Sequence, residues 1–352
     1  MVTIAEISTS FPNHYYRQDE IMASLAKGWN GRGVHLAVLN RLHDHMQVDG
    51  RYLALPLEAY WGLNGFGAHN DAWVRVAADV GESALRSLFS IAGIEASEIS
   101  QLTFTTVTGI SVPSLDARLI NRLNLSPAVK RVPLFGLGCV AGVAGVARVA
   151  DYLVGHPAEA AVLLSVELCS LTLQRDDTSM ANLVSSGLFG DGAAAVLMVG
   201  SAHRFAARGP RILASRSAFF PDTERVMGWD VVDTGFKIVL SPEVPEVAKT
   251  RLRPCVEAFL AEHGLGLADI GVWIAHPGGP KVMDAIEEGL GLSPDALRTS
   301  HETLKKCGNL SSTSVLLVLA EVLAQPTPTK GTYGLMIALG PGFCAEAVLL
   351  QW

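Results

Sequence analysis

Residues Val132–Leu153 read VPLFGLGCVAGVAGVARVADYL. The apolar run Val132–Phe135 predicts a buried strand, and Gly136 and Gly138 bracket a tight turn. The small and apolar residues from Val140 to Leu153 predict a helix packed on all sides. Strand, turn and helix in that order point to an α/β fold. They also put one reactive side chain, Cys139, at a helix start inside a core. Orphan N–H groups and the helix dipole favour negative charge there, so the thiol is expected to ionise readily. The competing reading is a buried cysteine that only packs.

Composition narrows the classes. The chain has 352 residues, of which 49% are hydrophobic and 17% charged, with a net charge of −7. The apolar excess predicts one large body with heavily buried strands and helices and a subunit interface. No Lys/Arg run is present, so no nucleic-acid partner is expected. The N-terminus, MVTIAEISTSFPNHYY, lacks the pattern of a signal peptide. The most apolar windows are interrupted by Gly, Arg, Asp or Glu, so they are expected to be too short to insert stably in a membrane. Cys139, Cys169, Cys255, Cys307 and Cys344 form no CxxC pair, and the ten histidines show no HExxH spacing. These absences predict a reduced, cytoplasmic protein with no metal and no disulfide framework.

Along the chain, the first ~75 residues read as mixed loops and helices. After them the chain repeats a plan. LTFTTVTG and VWIAHPGG read as strands, GLGCVAGVAGVARVADYL and KCGNLSSTSVLLVLAEVLA as turn–helix units, and AVLLSVEL and YGLMIALG as strands. The interval from Gly109 to Cys139 is 30 residues, and that from His276 to Asn309 is 33. An internal duplication of an α/β unit follows, with halves at residues 1–205 and 206–352. A pseudo-two-fold axis would bring Cys139 at one helix start close to Asn309 at the other, with His276 pointing into the same crevice.

Those three residues suit one chemistry. A Cys–His pair activates a sulfur nucleophile. A His and an Asn together offer two N–H donors to a thioester carbonyl that becomes an oxyanion or enolate. No Asp or Glu in the Gly-flanked turns reads as a base, and Asp191 in FGDGA reads as a turn residue. Decarboxylative Claisen condensation needs a thiolate and an oxyanion hole but no base, because loss of CO₂ generates the carbanion. Against this stand a core histidine satisfied by backbone and an Asn that only caps its helix.

GLGCVAGVAGV with Cys139, WIAHPGGP with His276, GNLSSTSVLLVL with Asn309 and the C-terminal ALGPGF together resemble the type III polyketide synthase (chalcone synthase) family, over roughly residues 70–352. The resemblance implies a thiolase-like fold of two duplicated halves in an α-β-α-β-α body. It also implies a homodimer and acyl-CoA and malonyl-CoA substrates, with no cofactor beyond the substrates' own CoA. In the family, Cys carries the growing chain while His and Asn promote malonyl-CoA decarboxylation. Two gatekeeper phenylalanines map to Phe189 and Phe236, and a CoA-phosphate cation maps to Arg41. The loop Gly340-Pro341-Gly342 maps to the family's substrate-lining turn.

Some positions depart from the plant pattern. Ala338 and Leu339 precede the Gly-Pro-Gly loop where plant members usually have GFGPG. Val107 replaces a Thr, and Val112 stands where a Met reaches across the dimer. Cys169 lies beside the cavity, where a small side chain leaves room for an alkyl tunnel. These departures look most like actinobacterial members that join a long-chain fatty acyl-CoA to malonyl-CoA, or methylmalonyl-CoA, and release an alkylpyrone. An alkylresorcinol product and a ketoacyl synthase of fatty-acid initiation are the alternatives. HPGGP in place of HQAN argues against the last. A thiolase would need Cys344 as a base, but GPGFCAEAV reads as a strand. An inactive partner subunit is disfavoured by the complete Cys/His/Asn set.

Overall fold

The computed structural model describes residues 1–293 and 295–352, with the backbone alone at Leu36. The chain opens with strand β1 (Val2–Ser10), then β2 (His14–Arg17), helices α1 (Gln18–Gly28) and α2 (Leu36–His45), and β3 (Gly50–Leu53). Next come α3 (Gly65–Ala92), β4 (Ile99–Thr106), α4 (Leu115–Leu123), β5 (Lys130–Phe135) and α5 (Ala141–Gly155). The first half closes with β6 (Ala160–Leu168), α6 (Met180–Leu188) and β7 (Asp191–Val199). The second contains β8 (Arg211–Phe219), the hairpin β9 (Met227–Val232) and β10 (Gly235–Leu240), α7 (Val244–Ala261), β11 (Ile270–Ala275) and α8 (Pro280–Leu290). It ends with α9 (Arg298–Cys307), α10 (Ser312–Ala324), β12 (Tyr333–Gly340) and β13 (Cys344–Gln351).

Nine strands form one sheet in the order β11-β12-β13-β8-β1-β7-β6-β4-β5. Read outward from the β1/β8 junction, the two directions match. β1 and β8 are followed by antiparallel β7 and β13, then antiparallel β6 and β12, then parallel β4 and β11. β1 and β8 themselves pair antiparallel, as a two-fold axis between them requires. The predicted duplication is therefore written into the strand order, and β5 is the one sheet strand without a counterpart.

The layers follow from which faces are apolar. α5 and α10 lie on the face shared by both halves. Val143, Val146, Val315 and Leu319 pack there against Leu163 and Val196 of the first half and Met336 and Val348 of the second. α3 covers the other face of the first half, while α7 and α8 cover that of the second. The result is the expected five-layer α-β-α-β-α body. A side chain of this kind, fully buried, contributes about 1.5–3 kcal/mol by leaving water. α5 and α10 approach so closely that a Cβ on Gly142 would lie 2.3 Å from the Ser312 carbonyl oxygen. That contact brings the two predicted turn–helix units together.

Three expectations are corrected. β1 falls in the segment read as loops and helices, yet it is a central strand. Its polar residues, Thr3, Glu6 and Ser8–Ser10, hid it from a hydrophobicity count. β5 is not buried. It is the sheet edge, paired only with β4, and Phe135 is 55% exposed. The apolar stretch Gly138–Gly155 is long enough to cross a membrane, contrary to the sequence reading, but 72% of it is buried as a core helix.

Candidate active site

Cys139 sits in a 3₁₀ turn (Gly138–Val140) that leads into α5. Gly138 adopts φ +55, and a Cβ there would lie 2.8 Å from the ring of Pro341. A Cβ on Gly340 would meet the Val140 nitrogen at 2.9 Å. The Gly340-Pro341-Gly342 loop thus packs directly on the cysteine turn, and both approaches need glycine. The thiol is buried and points across the pseudo-dyad, its Sγ 3.7 Å from Ser311 Oγ.

Ser311 precedes α10 in a left-handed conformation, φ 48 and ψ −127, which a side chain rarely adopts. Its backbone N–H donates to Oδ1 of Asn309 at 2.8 Å, and Asn309 Nδ2 donates to the Gly278 carbonyl at 3.1 Å. One N–H of the Asn309 amide is therefore used internally and the other is left. Gly278 belongs to the turn after β11 that begins with His276, and its own N–H donates to the His276 carbonyl. Cys139 is thus linked to Asn309 through Ser311, and Asn309 to the His276 turn through Gly278. His276 is buried, and its Nδ1 has no hydrogen-bond partner among the described residues.

Electrostatics correct the expectation of a readily ionised thiol. Burial pushes the Cys139 thiol up to about 12. The Ser311 hydrogen bond opposes that shift, and the charge of Glu167 adds to it. Burial also pushes the His276 imidazole down to about 3. Desolvation thus favours a neutral thiol and a neutral imidazole, and outweighs the helix start.

Two buried carboxylates escaped the sequence reading. Glu167, at the end of β6, is fully buried and accepts from the Val107 N–H at 3.0 Å, from Thr108 Oγ1 at 2.9 Å, from Thr106 Oγ1 at 3.2 Å and from the Ser312 hydroxyl. It ties β4 to the start of α10 beneath the thiol, and burial raises it to about 6. The single charged residue in the otherwise mostly apolar run AAVLLSVELC was the signal available. Asp191 is not a turn residue. It begins β7, fully buried, and accepts from the N–H groups of Ala54 and Ser170 and from the Ser170 hydroxyl. Burial raises it to about 7.

A pocket lies in the first half of the chain. Cys169 and Phe189 line it, with Arg51, Tyr60 and the apolar residues Leu25 and Trp61. Phe189 also lies 6.3 Å from the Trp229 ring. Phe236 is buried in a different aromatic group, 5.1 Å from Phe66 and 6.3 Å from Phe135, despite its polar sequence neighbours. Arg41 is exposed on α2, and its carbonyl accepts from His45. Among the described residues no group of three or more His, Cys, Asp and Glu is placed to hold a metal ion.

Comparison with known proteins agrees with this architecture. Residues 2–203 match the N-terminal domain of chalcone and stilbene synthases, and residues 211–352 match the C-terminal domain. A 1,3,6,8-tetrahydroxynaphthalene synthase of Streptomyces peucetius subsp. caesius is 49% identical over 99% of this chain and 93% of its own length. A phloroglucinol synthase of Pseudomonas fluorescens is 31% identical over 100% and 99%. Among solved structures, the 1,3,6,8-tetrahydroxynaphthalene synthase of Streptomyces coelicolor, a bacterial type III polyketide synthase, superposes with a TM-score of 0.93 at 30% identity, covering 99% of each chain. The protein is therefore an enzyme of the chalcone and stilbene synthase family, a type III polyketide synthase.

Proposed function

We propose that this enzyme builds a short poly-β-keto chain from malonyl-CoA on Cys139 and releases it as a polyhydroxylated aromatic of the tetrahydroxynaphthalene kind. The observation that carries the chemistry is the closure of the Cys139 turn on Ser311 beside the Asn309 amide. The choice of product rests on the similarity, over nearly the whole chain, to a protein named for that product.

In this mechanism Cys139 Sγ bonds the carbonyl carbon of a starter thioester. The carbon–sulfur bond to CoA breaks, and the thiol proton passes by way of His276 to the departing CoA thiolate. Malonyl-CoA follows, with its thioester oxygen between His276 and the second N–H of Asn309. The bond to its carboxylate breaks, CO₂ leaves, and the electron pair remains as an enolate that those donors stabilise. The enolate carbon then bonds the acyl carbon on Cys139, and Sγ leaves as a thiolate. Phe189 and Phe236 border the path of the chain, and Arg41 binds CoA phosphate.

The functional unit in this proposal is a homodimer. The exposed apolar side chains of Phe135 on the edge strand, Ile110 at 43% and Val112 at 100% support that reading. A second reading, a long-chain acyl-CoA starter that ends in an alkylpyrone or alkylresorcinol, is favoured by the apolar lining of the pocket beside Cys169. Incubation with malonyl-CoA alone, then with a ladder of acyl-CoA starters, separates the two. An aromatic product from malonyl-CoA alone supports the first reading. Products whose mass tracks the added starter, with none from malonyl-CoA alone, reject it for the second.

A further inference from the structure

Arg51, on β3 in the N-terminal segment, is a buried cation far in sequence from the catalytic motifs. It is 1% exposed. Its Nη1 donates to the Phe189 carbonyl at 2.7 Å and its Nη2 to the Ser186 carbonyl at 2.9 Å. The stem runs over two glycines. A Cβ on Gly308 would lie 2.8 Å from Arg51 Cδ, and one on Gly190 would lie 3.5 Å from Arg51 Cβ. Those glycines flank the place where the chain carrying Phe189 meets the chain carrying Asn309. There the Asn309 N–H donates to the Leu188 carbonyl and the Gly190 N–H to the Asn309 carbonyl, both at 2.9 Å. Arg51 thus props a two-stranded bridge, one strand of which ends in the Asn309 amide.

Asp191, two residues after Phe189, is the carboxylate whose charge Arg51 feels most strongly. It fastens the start of β7 to Ala54, three residues beyond Arg51, and to Ser170, beside Cys169. A buried cation costs more to desolvate than a simple packing role requires, since apolar residues fill such space more cheaply. A planar fork spanning two carbonyls fits a fixing role better.

We propose that Arg51 is a positioning residue for decarboxylation: by clamping the Phe189 carbonyl it fixes the backbone bridge that aims the Asn309 amide. This rests on the role given above to Asn309. Loading of Cys139 uses the thiol and His276 and needs no donor from the Asn309 amide, so in this proposal it responds less to the clamp than decarboxylation does.

The test uses the full-length enzyme with Arg51→Met and Arg51→Lys. CO₂ release from malonyl-CoA gives kcat and KM, and intact-mass spectrometry gives the rate of acyl loading on Cys139. For Arg51→Met, kcat for CO₂ release should fall at least about tenfold, with KM and the loading rate within about threefold of wild type. Arg51→Lys keeps the charge and one donor, so it should recover part of that kcat. If Arg51→Met does not fold, Arg51→Lys carries the test, with a loss of about three- to tenfold confined to kcat for CO₂ release. Equal losses in loading and decarboxylation, or unchanged CO₂ release in a folded variant, would overturn the proposal. Failure of the underlying reading is distinguishable: Asn309→Ala would then release CO₂ from malonyl-CoA at the wild-type rate.

Discussion

Cys139 Sγ lies 3.7 Å from the hydroxyl of Ser311, a residue 172 positions later in the chain and two beyond Asn309. This contact is where the two duplicated halves meet chemically. It sets a local balance on the thiol, because Ser311 favours the thiolate while the charge of Glu167 opposes it. Opposite effects of two substitutions follow. Glu167→Gln should speed alkylation of Cys139 by iodoacetamide at pH 7.5 by about two- to tenfold, and Ser311→Ala should slow it. Measured rates that move in the same direction would refute the balance.

Gly142 makes the approach of α5 to α10 possible, since a Cβ would meet the Ser312 carbonyl oxygen at 2.3 Å. Backbone cannot yield as a flexible side chain does. Gly142→Ala should therefore cost about 1–3 kcal/mol by thermal melting, with a larger fractional loss in condensation rate than in folded protein. A variant of wild-type stability would show that the helices part freely.

Asp191 links stability to pH. Its carboxyl is raised to about 7 when folded, against an ordinary value of 3.8. A carboxyl raised on folding contributes stability that is complete below its unfolded value and is lost as pH climbs through the folded one. The advantage of wild type over Asp191→Asn in melting temperature should thus shrink between pH 5 and pH 8. A gap that widens with pH would reverse the assigned sign.

Cys169 lines a pocket together with Phe189, Arg51 and Trp61. Cys169→Phe should fill part of it and shift the products toward fewer two-carbon extensions, read by product mass. An unchanged product profile would mean that the chain does not use this pocket.

The turn that carries Cys139 and its packing were legible in the sequence because their glycines mark close approaches. A Cβ would lie 2.8 Å from Pro341 at Gly138 and 2.3 Å from the Ser312 carbonyl oxygen at Gly142, and such close approaches leave a pattern of glycines. The palindromic strand order was legible for the same reason, since each turn–helix unit recurs with its flanking strands. β1 was not, because Thr3, Glu6, Ser8 and Thr9 interrupt its apolar residues, and it lacks the apolar run that marks β6. Glu167, Asp191 and Arg51 were hidden for a related reason. A buried charged side chain is defined by partners distant in sequence, such as Ser312 for Glu167 and Phe189 for Arg51. The thiol's ionisation was misjudged because a helix start is local and readable, whereas desolvation is a property of the assembled core.

The most direct measurement is intact-mass and peptide mass spectrometry after incubation with malonyl-CoA, run on wild type and Cys139→Ala with CO₂ release followed in parallel. Wild type should carry acyl adducts on the peptide containing Cys139. Cys139→Ala should carry none while still releasing CO₂, because decarboxylation belongs to His276 and Asn309. An acyl adduct or full-length product from Cys139→Ala would contradict the assignment of Cys139 as the residue that holds the chain.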